Sequence, residues 1–436
     1  MPSSRIRVLA EQHWNGQGDL VHAHHPVTPV ERRVAEELVD GVLYVKSVAS
    51  ITALDSGDGL VMLDTGGPFD AQHIFDVVRA WRPGNGGRGR LSAAVFSHHH
   101  IDHVFGTRLF EAESEAEGWE APAVHGHDAM PAGFRRYERT RGWNTAINQR
   151  QFGLPVAGWE FPGEFRDPTV TYREELTFRR GDLTFELHHG LGETDDATWT
   201  WVPERGILHP GDLFIWAVPN AGNPQKVQRY AGEWATALRQ MAELGAEIML
   251  PGHGLPVFGA ERIRQALLDT AEVLDAIELQ TLALMNTGCT LDRALHEVEV
   301  PAHLLDRPYL RPVYDHPQFL VRNVWRRFGG WYDGQPDNLL PAPRRQQAEE
   351  WVALAGGSRA VLDRARALGD GGDHRMACHL VEHAVLADPG SAEVHAARAE
   401  IYAAWAEQQE SSMARNILRH AAISSEQGRL DLAGGR

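Results

Sequence analysis

The sequence predicts an α/β fold: a sandwich of β-sheets covered by helices on both outer faces, followed by an all-α helical C-terminal domain. Three observations carry this expectation. A meander of short β-rich runs opens the chain, strands and helices then alternate up to about Gly259, and the chain is almost purely helical after Pro341. At 436 residues the chain exceeds what one hydrophobic core organises, so at least two packing units are expected.

The meander is VLYVKSVASITALDSGDGLVMLDT, residues 42–65, three β-rich runs broken at Ser56-Gly57-Asp58-Gly59, whose last two residues are a hairpin pair. A helical period follows over about 70–81. A Gly-rich loop spans 83–89, and Leu91 to Ser97 reads as a short apolar strand. Further strands are expected near Ala123, over 183–188, 198–202, 206–208 and 247–250, with helices around 128–140 and 229–244. Residues 261–285 hold apolar side chains at helical spacing, including Leu267, Ala271, Leu274, Ile277 and Leu284. Within 372–422, two antiparallel helices joined at Asp388-Pro389-Gly390 read as a single tetratricopeptide-like hairpin suited to packing or dimerisation. The domain boundaries expected are 1–260 for a catalytic domain, 261–343 for a helical extension and aromatic linker, and 344–436 for a helical dimerisation domain.

Composition narrows the function. Apolar residues at 43% and charged residues at 23% describe a globular protein. The longest apolar runs, such as Gly41 to Val48, fall short of the roughly 18 residues of a membrane span, so none is expected. Met1 to Asp19 is polar and charged, unlike a secretory signal, which makes a cytoplasmic location the expectation. Cys289 and Cys378 stand far apart and outside any ligand spacing, and are read as free thiols. A formal charge of −17 without a sustained basic run argues against nucleic acid and anionic membranes as partners. A small anionic substrate would need a local positive site. Lys46 and Lys226 are the only lysines in the chain.

Where the strand over 91–97 ends, the chain reads His98-x-His100-x-Asp102-His103. Alternate residues His98 and His100, leaving a strand end, can face one metal, and Asp102 and His103, entering the next turn, a neighbouring one. His99 then points away. Three other strand ends carry matching chemistry: Asp64-Thr65-Gly66, Gly211-Asp212 and Pro251-Gly252-His253-Gly254. Each places a ligand-type residue, or a residue that supports one, beside Gly or Pro that lets backbone approach closely.

In order along the chain, these motifs resemble the metallo-β-lactamase superfamily over about 42–258, which implies an αββα metallo-β-lactamase sandwich. The resemblance implies one metal held by His98, His100 and a third ligand, a second held by Asp102, His103 and His253, Asp212 bridging them, and Asp64 supporting a ligand from behind. At the third-ligand position the usual Gly-His-Thr appears as Gly192-Glu193-Thr194, which looks like the alkylsulfatase branch, where a glutamate takes that place. His188 and His189 remain alternatives. Residues 309–343, with Gly-Gly-Trp-Tyr-Asp-Gly at 329–334, resemble the linker and dimerisation region of alkylsulfatases and imply a homodimer through the C-terminal helices. Two departures stand out. Asp212 replaces the branch's bridging glutamate, and the given sequence ends at Arg436, so no sterol-carrier-like domain is expected.

Two metals a few ångströms apart lower the pKa of a bound water and polarise an ester, giving a dinuclear metal-dependent hydrolase in which Asp102 and Asp212 are the catalytic carboxylates. Two Zn2+ per chain are expected from the mixed His and carboxylate donors, with Mn2+ or Fe as alternatives. Asn220, Asn223, Lys226 and Arg229 are the candidate donors for the oxygens of a small anionic ester. Residues 136–152, with Tyr137, Trp143, Asn144, Asn148 and Arg150, are read either as a roof over the pocket or as helix packing; Tyr137 is the candidate acid for the leaving alcohol. Sulfate ester cleavage is the leading function. The alternatives are another ester hydrolase of the fold (thioesterase, lactonase or phosphoester hydrolase) and a non-catalytic metal-stabilised scaffold.

Overall fold

The computed structural model describes residues 4–434. The first sheet takes its strands in chain order: β1 (Val34–Val39), β2 (Val42–Lys46), β3 (Ile51–Asp55), β4 (Leu60–Leu63), β5 (Leu91–Val95), β6 (Ala123–His127) and β7 (Val170–Tyr172). Pairing is antiparallel from β1 to β4 and parallel from β4 to β7. The second sheet holds β8 (Glu175–Arg180), β9 (Leu183–His189), β10 (Thr198–Val202), β11 (Ile207–His209), β12 (Ile248–Met249) and β13 (Val257–Phe258), in spatial order β13-β12-β11-β10-β9-β8. Only β11 and β12 pair in parallel there. The helices up to the second sheet's end are α1 (Arg5–Trp14), α2 (Ala71–Trp81), α3 (Thr107–Glu117), α4 (Met130–Arg139), α5 (Arg141–Phe152) and α6 (Ala231–Ala242). Those after it are α7 (Ala260–Asn286), α8 (Leu291–Glu297), α9 (Ala302–Leu305), α10 (Pro317–Gly329), α11 (Arg344–Leu354), α12 (Ser358–Asp370), α13 (His374–Ala387), α14 (Ala392–Glu407) and α15 (Ser412–Glu426).

The chain forms two compact units. One comprises the residues up to Arg139 with 162–289 and 293–329; the other comprises 140–161, 290–292 and the residues from 330 onward. In the first unit β2 and β4 are buried on both faces, which is why their sequences are continuously apolar rather than alternating. Leu43, Val45, Ile51, Ala53, Met62 and Ala94 pack under Ile74 and Val78 of α2 and Phe110 of α3. Phe110 is wholly enclosed there, and removing its ring would cost about 3–5 kcal/mol. The two sheets meet through groups such as His125, whose ring stacks on Phe178 at 4.1 Å, and Tyr172, whose hydroxyl donates to Thr198 Oγ1 at 2.7 Å. α7 packs on α6, β12 and β13 within this unit.

The second unit is helical. Val352, Leu362, Val381, Val385, Val394 and Ile401 make its core. The expected turn at 388–390 joins α13 to α14. Side-chain caps start both helices: Asp373 accepts the Met376 N–H at 3.1 Å and Ser391 Oγ that of Val394 at 3.3 Å. α5 joins this unit by packing on α15, where Asn416 Nδ2 donates to Gln151 O at 2.8 Å and Arg150 pairs with Asp431 at 2.6 Å. Trp331, Leu340, Trp351 and Leu354 of this unit are 71, 91, 60 and 78% exposed. No helix among the described residues is long and apolar enough to cross a membrane.

Candidate metal centre

The site is assembled from loops leaving strand ends. β4 ends at Asp64, which turns the chain with φ of +55°. Its buried carboxylate then crosses to the end of β5, accepting the Ser97 N–H at 2.7 Å and the Ser97 hydroxyl at 2.8 Å. From there residues 98–103 wind through the site in one turn. Glu193 stands in the β9–β10 connection, Asp212 just past β11 and His253 just past β12. Two glycines make the close approach possible. Gly211 has φ of +55° and a Cβ there would lie 2.7 Å from Ser97 Cβ; a Cβ on Gly252 would lie 2.6 Å from Asp212 Oδ1.

Seven side chains converge. His253 Nε2 lies 3.2 Å from Asp212 Oδ2 and 3.3 Å from Asp102 Oδ2; His103 Nε2 lies 3.5 Å from Asp212 Oδ1 and 3.8 Å from Asp102 Oδ2. His98 Nε2 is 2.8 Å from His100 Nδ1 and 3.8 Å from Asp212 Oδ2, and His100 Nδ1 is 3.6 Å from Glu193 Oε1. The far ring nitrogens are held from outside. His103 Nδ1 meets Asp64 Oδ2 at 2.7 Å, His253 Nδ1 meets Val48 O at 2.7 Å, and His98 Nδ1 meets Ser97 Oγ at 3.0 Å. Such partners fix which nitrogen faces inward.

Electrostatics follow from this packing. Burial, helped by neighbouring imidazoles, pushes His98 down to about 4 and His100 well below the ordinary histidine range, so both offer neutral lone pairs. Burial acts the same way on His103 and His253, but carboxylates outweigh it. Asp212, Asp64 and Asp102 hold His103 well above its usual range, and Asp212 with Asp102 raise His253 to about 10. Against the upward push of burial, His103 and His253 hold Asp102 down to about 2, and His253 and His103 hold Asp212 well below the carboxylate range. A divalent cation entering this cluster would displace the protons on His103 and His253 and take over their charge balance.

The donors suit metal ions. Three trios in this cluster have ligand atoms within 4.8 Å of one another: Asp102 with His103 and His253, His100 with Glu193 and Asp212, and His98 with His103 and Asp212; His99 with Asp195 and Asp196, Asp195 being exposed, form a fourth set as close. His103 Nε2 and Asp212 Oδ1 are buried without a hydrogen-bond partner in the protein, an arrangement that a metal would satisfy. His99 is turned elsewhere, its Nδ1 to Asp196 at 2.8 Å and its Nε2 to Arg136 at 2.8 Å. His188 stacks on Trp199 and His189 on His127, and neither is in these trios.

The expected anion donors divide. Asn220 Nδ2 and Arg229 Nη1 both engage Glu193 Oε1, at 2.6 and 2.8 Å, so these two atoms hold a ligand-type carboxylate rather than facing a substrate. Burial pushes Glu193 up to about 7, with Arg229 opposing. Arg229 Nε and Asn223 Nδ2 are buried without protein partners. Lys226 is half-buried, and burial with the Arg229 charge lowers it to about 8. Tyr137 is buried with its ring 5.1 Å from that of His99 and 6.4 Å from that of His100. Of the residues expected to roof the site, those on α5 are engaged within the second unit: Asn144 with Thr140, Asn148 with the Asn144 carbonyl, Arg150 with Asp431. Sequence reasoning missed Asp315, which is fully buried and accepts N–H groups from Gly222 and Asn223 at 2.7 and 3.1 Å. No local signal announces it, because its partners lie more than 90 residues away.

Residues 46–253 match the family model of the metallo-beta-lactamase superfamily, and residues 290–428 match that for alkyl sulfatase dimerisation. An (R)-specific secondary-alkylsulfatase of Pseudomonas sp. is 27% identical over 409 residues, covering 87% of this chain and 60% of its own length. A linear primary-alkylsulfatase of Pseudomonas sp. (strain ATCC 19151) is 27% identical over 355 residues, covering 77% of this chain and 66% of its own. Among solved structures, a stereoselective inverting sec-alkylsulfatase from Pseudomonas sp. superposes with a TM-score of 0.81 at 26% identity, over 90% of this chain and 66% of that one. The chain therefore spans about two thirds or less of these relatives. The first match covers β3 to β12 and the second α8 to α15, a metallo-beta-lactamase-type α/β domain followed by a helical C-terminal region.

Proposed function

We propose that the chain is a dinuclear metal-dependent hydrolase of sulfate monoesters, with alkyl sulfates as its substrate class and water as the nucleophile. The observation that carries this reading is the convergence of the three His/carboxylate trios at the strand ends, one of them containing a glutamate held by an arginine and an amide. In this reading His98, His100 and Glu193 hold one ion, Asp102, His103 and His253 the other, and Asp212 lies between them. Asp64 fixes the His103 ring. The alkylsulfatase relatives supply the substrate class. Zinc is the metal that best suits mixed imidazole and carboxylate donors, ahead of manganese and iron.

Bound metal supplies an activated water and an electrophile for the ester oxygen. The remaining work falls to side chains of the chain itself. Arg229 Nε and Asn223 Nδ2 are buried donors awaiting an acceptor, and Lys226 keeps its proton at neutral pH; together they suit an anion with several oxygens. Tyr137, held by burial above its usual range, also stays protonated and is the donor proposed for the leaving alcohol. The assembly proposed is a cytoplasmic homodimer formed through the C-terminal helices, supported by the dimerisation domain and the exposed Trp331, Leu340, Trp351 and Leu354.

The test is metal content measured alongside free sulfate release from a medium-chain alkyl sulfate. Two zinc ions per chain and sulfate release that vanishes in Asp102→Ala are expected. Metal without sulfate release, but with turnover of carboxylic, thio- or phosphate esters, would move the substrate class. A folded, metal-loaded protein that turns over no ester would leave the scaffold reading.

A further inference from the structure

Glu193 is gripped by a loop, residues 218–230, that is itself held from beyond the metallo-beta-lactamase match. Inside the loop, Asn220 Nδ2 and Arg229 Nη1 donate to Glu193 Oε1, Arg229 Nη1 also donates to the Asn220 carbonyl, and the Tyr230 N–H donates to Gly192 O at 3.1 Å. Neither Asn220 nor Arg229 is fixed by the sheets.

The connector before α10 and α10 itself supply that fixation. The Val218 N–H donates to Arg311 O at 3.1 Å. Asp315 Oδ2 accepts from Gly222 N at 2.7 Å and Asn223 N at 3.1 Å, while Oδ1 accepts from His316 N at 2.7 Å. At the far end, Asn323 Nδ2 donates to the Arg229 carbonyl at 2.9 Å, Gln228 Nε2 donates to Asn323 O at 3.2 Å, and Arg326 Nη2 donates to Asn323 Oδ1 at 2.9 Å. The loop lies so close to α10 that a Cβ on Gly222 would fall 2.5 Å from Leu320 N. Asp315 and Asn323 are 0 and 3% exposed, so these bonds form where water does not compete for them.

We propose that Asp315 and Asn323 are positioning residues for the Glu193 carboxylate, so that residues 311–326, inside the dimerisation-domain match, form part of the metal site. Neither touches a ligand-type residue; each acts through the loop. The inference rests on the reading of Glu193 as a ligand. Loss of a partner that orients a ligand weakens metal binding about 10- to 100-fold.

The test uses the full chain loaded with zinc and titrated with a chelator that reports each ion, in Asp315→Ala, Asp315→Asn, Asn323→Ala and Glu193→Gln. The expected result is a 10- to 100-fold weaker hold on one ion in Asp315→Ala and Asn323→Ala, with the second ion unchanged. Asp315→Asn, which keeps one acceptor oxygen, should fall between wild type and alanine. Asn323→Ala carries the test by itself should Asp315→Ala not fold. Both ions held within threefold of wild type in all the Asp315 and Asn323 variants would overturn the inference, as would equal weakening of both ions together with a lower Tm. If Glu193→Gln loses one ion and these variants do not, only the positioning role fails. If Glu193→Gln keeps both, the ligand reading fails and takes the inference with it.

Discussion

Asp64→Asn separates orienting a ligand from merely filling space. The wild-type carboxylate accepts the Ser97 N–H on one oxygen and both the Ser97 hydroxyl and His103 Nδ1–H on the other. An asparagine of the same shape keeps an oxygen for Ser97 N but turns an NH2 group toward His103. His103 Nδ1 must then become an acceptor, which moves the ring proton to Nε2, the atom that faces Asp102 and Asp212. A protonated Nε2 has no lone pair for a metal. The expected cost is 10- to 100-fold in affinity for one zinc ion, or about 1.4 to 2.7 kcal/mol, since the tautomer can be restored at that expense. Chelator competition at fixed neutral pH reads it directly, with the second ion as internal control. Affinity within threefold of wild type for both ions would refute the tautomer argument. So would equal weakening of both, which would point to a general loss of packing.

Three further outcomes are expected. In chelated protein, His253 and His103 hold protons that they lose on unfolding. Because both folded values are raised, the stabilisation is complete below about 6.5 and fades as pH rises, by about 1.4 kcal/mol per pH unit for each ring. Tm of the chelated protein should therefore fall from pH 6.5 to 8, before the lowered Lys46 and Lys226 begin to offset the loss, while zinc-loaded protein should not follow it. A flat chelated profile would contradict the charge assignment. Gly252→Ala should weaken zinc binding and cost about 1–3 kcal/mol in a denaturant melt, because its Cβ would crowd Asp212 and His103; unchanged binding and stability would show that the loop yields freely. Trp351→Glu combined with Leu354→Glu should shift the light-scattering mass from twice 48.4 kDa toward a single chain without changing the helical signal, and a retained dimer would place the interface elsewhere.

The strands and helices that were legible in the sequence are those whose apolar pattern is strong over their full length. β2 to β5 and α7 announce themselves because whole faces are apolar. α3 was missed because it buries Thr107, Phe110 and Ser114, and only one of these is apolar. β1, at the sheet edge, carries Glu36 and Glu37, and β13 is two residues long. The metal-type donors were legible because strand-end chemistry leaves short motifs. Asp315 and Asn323 were not, since their significance lies in hydrogen bonds to residues more than 90 positions away. Asn220 and Arg229 were visible as polar residues, but their attachment to Glu193 exists only once the loop has folded.

The attachment of α5 to α15 sets a timetable for synthesis. Arg150 and Asp431, which close that contact, are 281 residues apart. At roughly 5–20 residues per second, a ribosome leaves α5 waiting about 15 to 55 seconds for its partner. During that interval the strands that follow it can emerge and pair, while the face of α5 that packs on α15 is without that partner. The second unit is the last part of the molecule to close, and a nascent chain has that long a period in which a chaperone, or the α15 of a neighbouring chain, can reach α5 first.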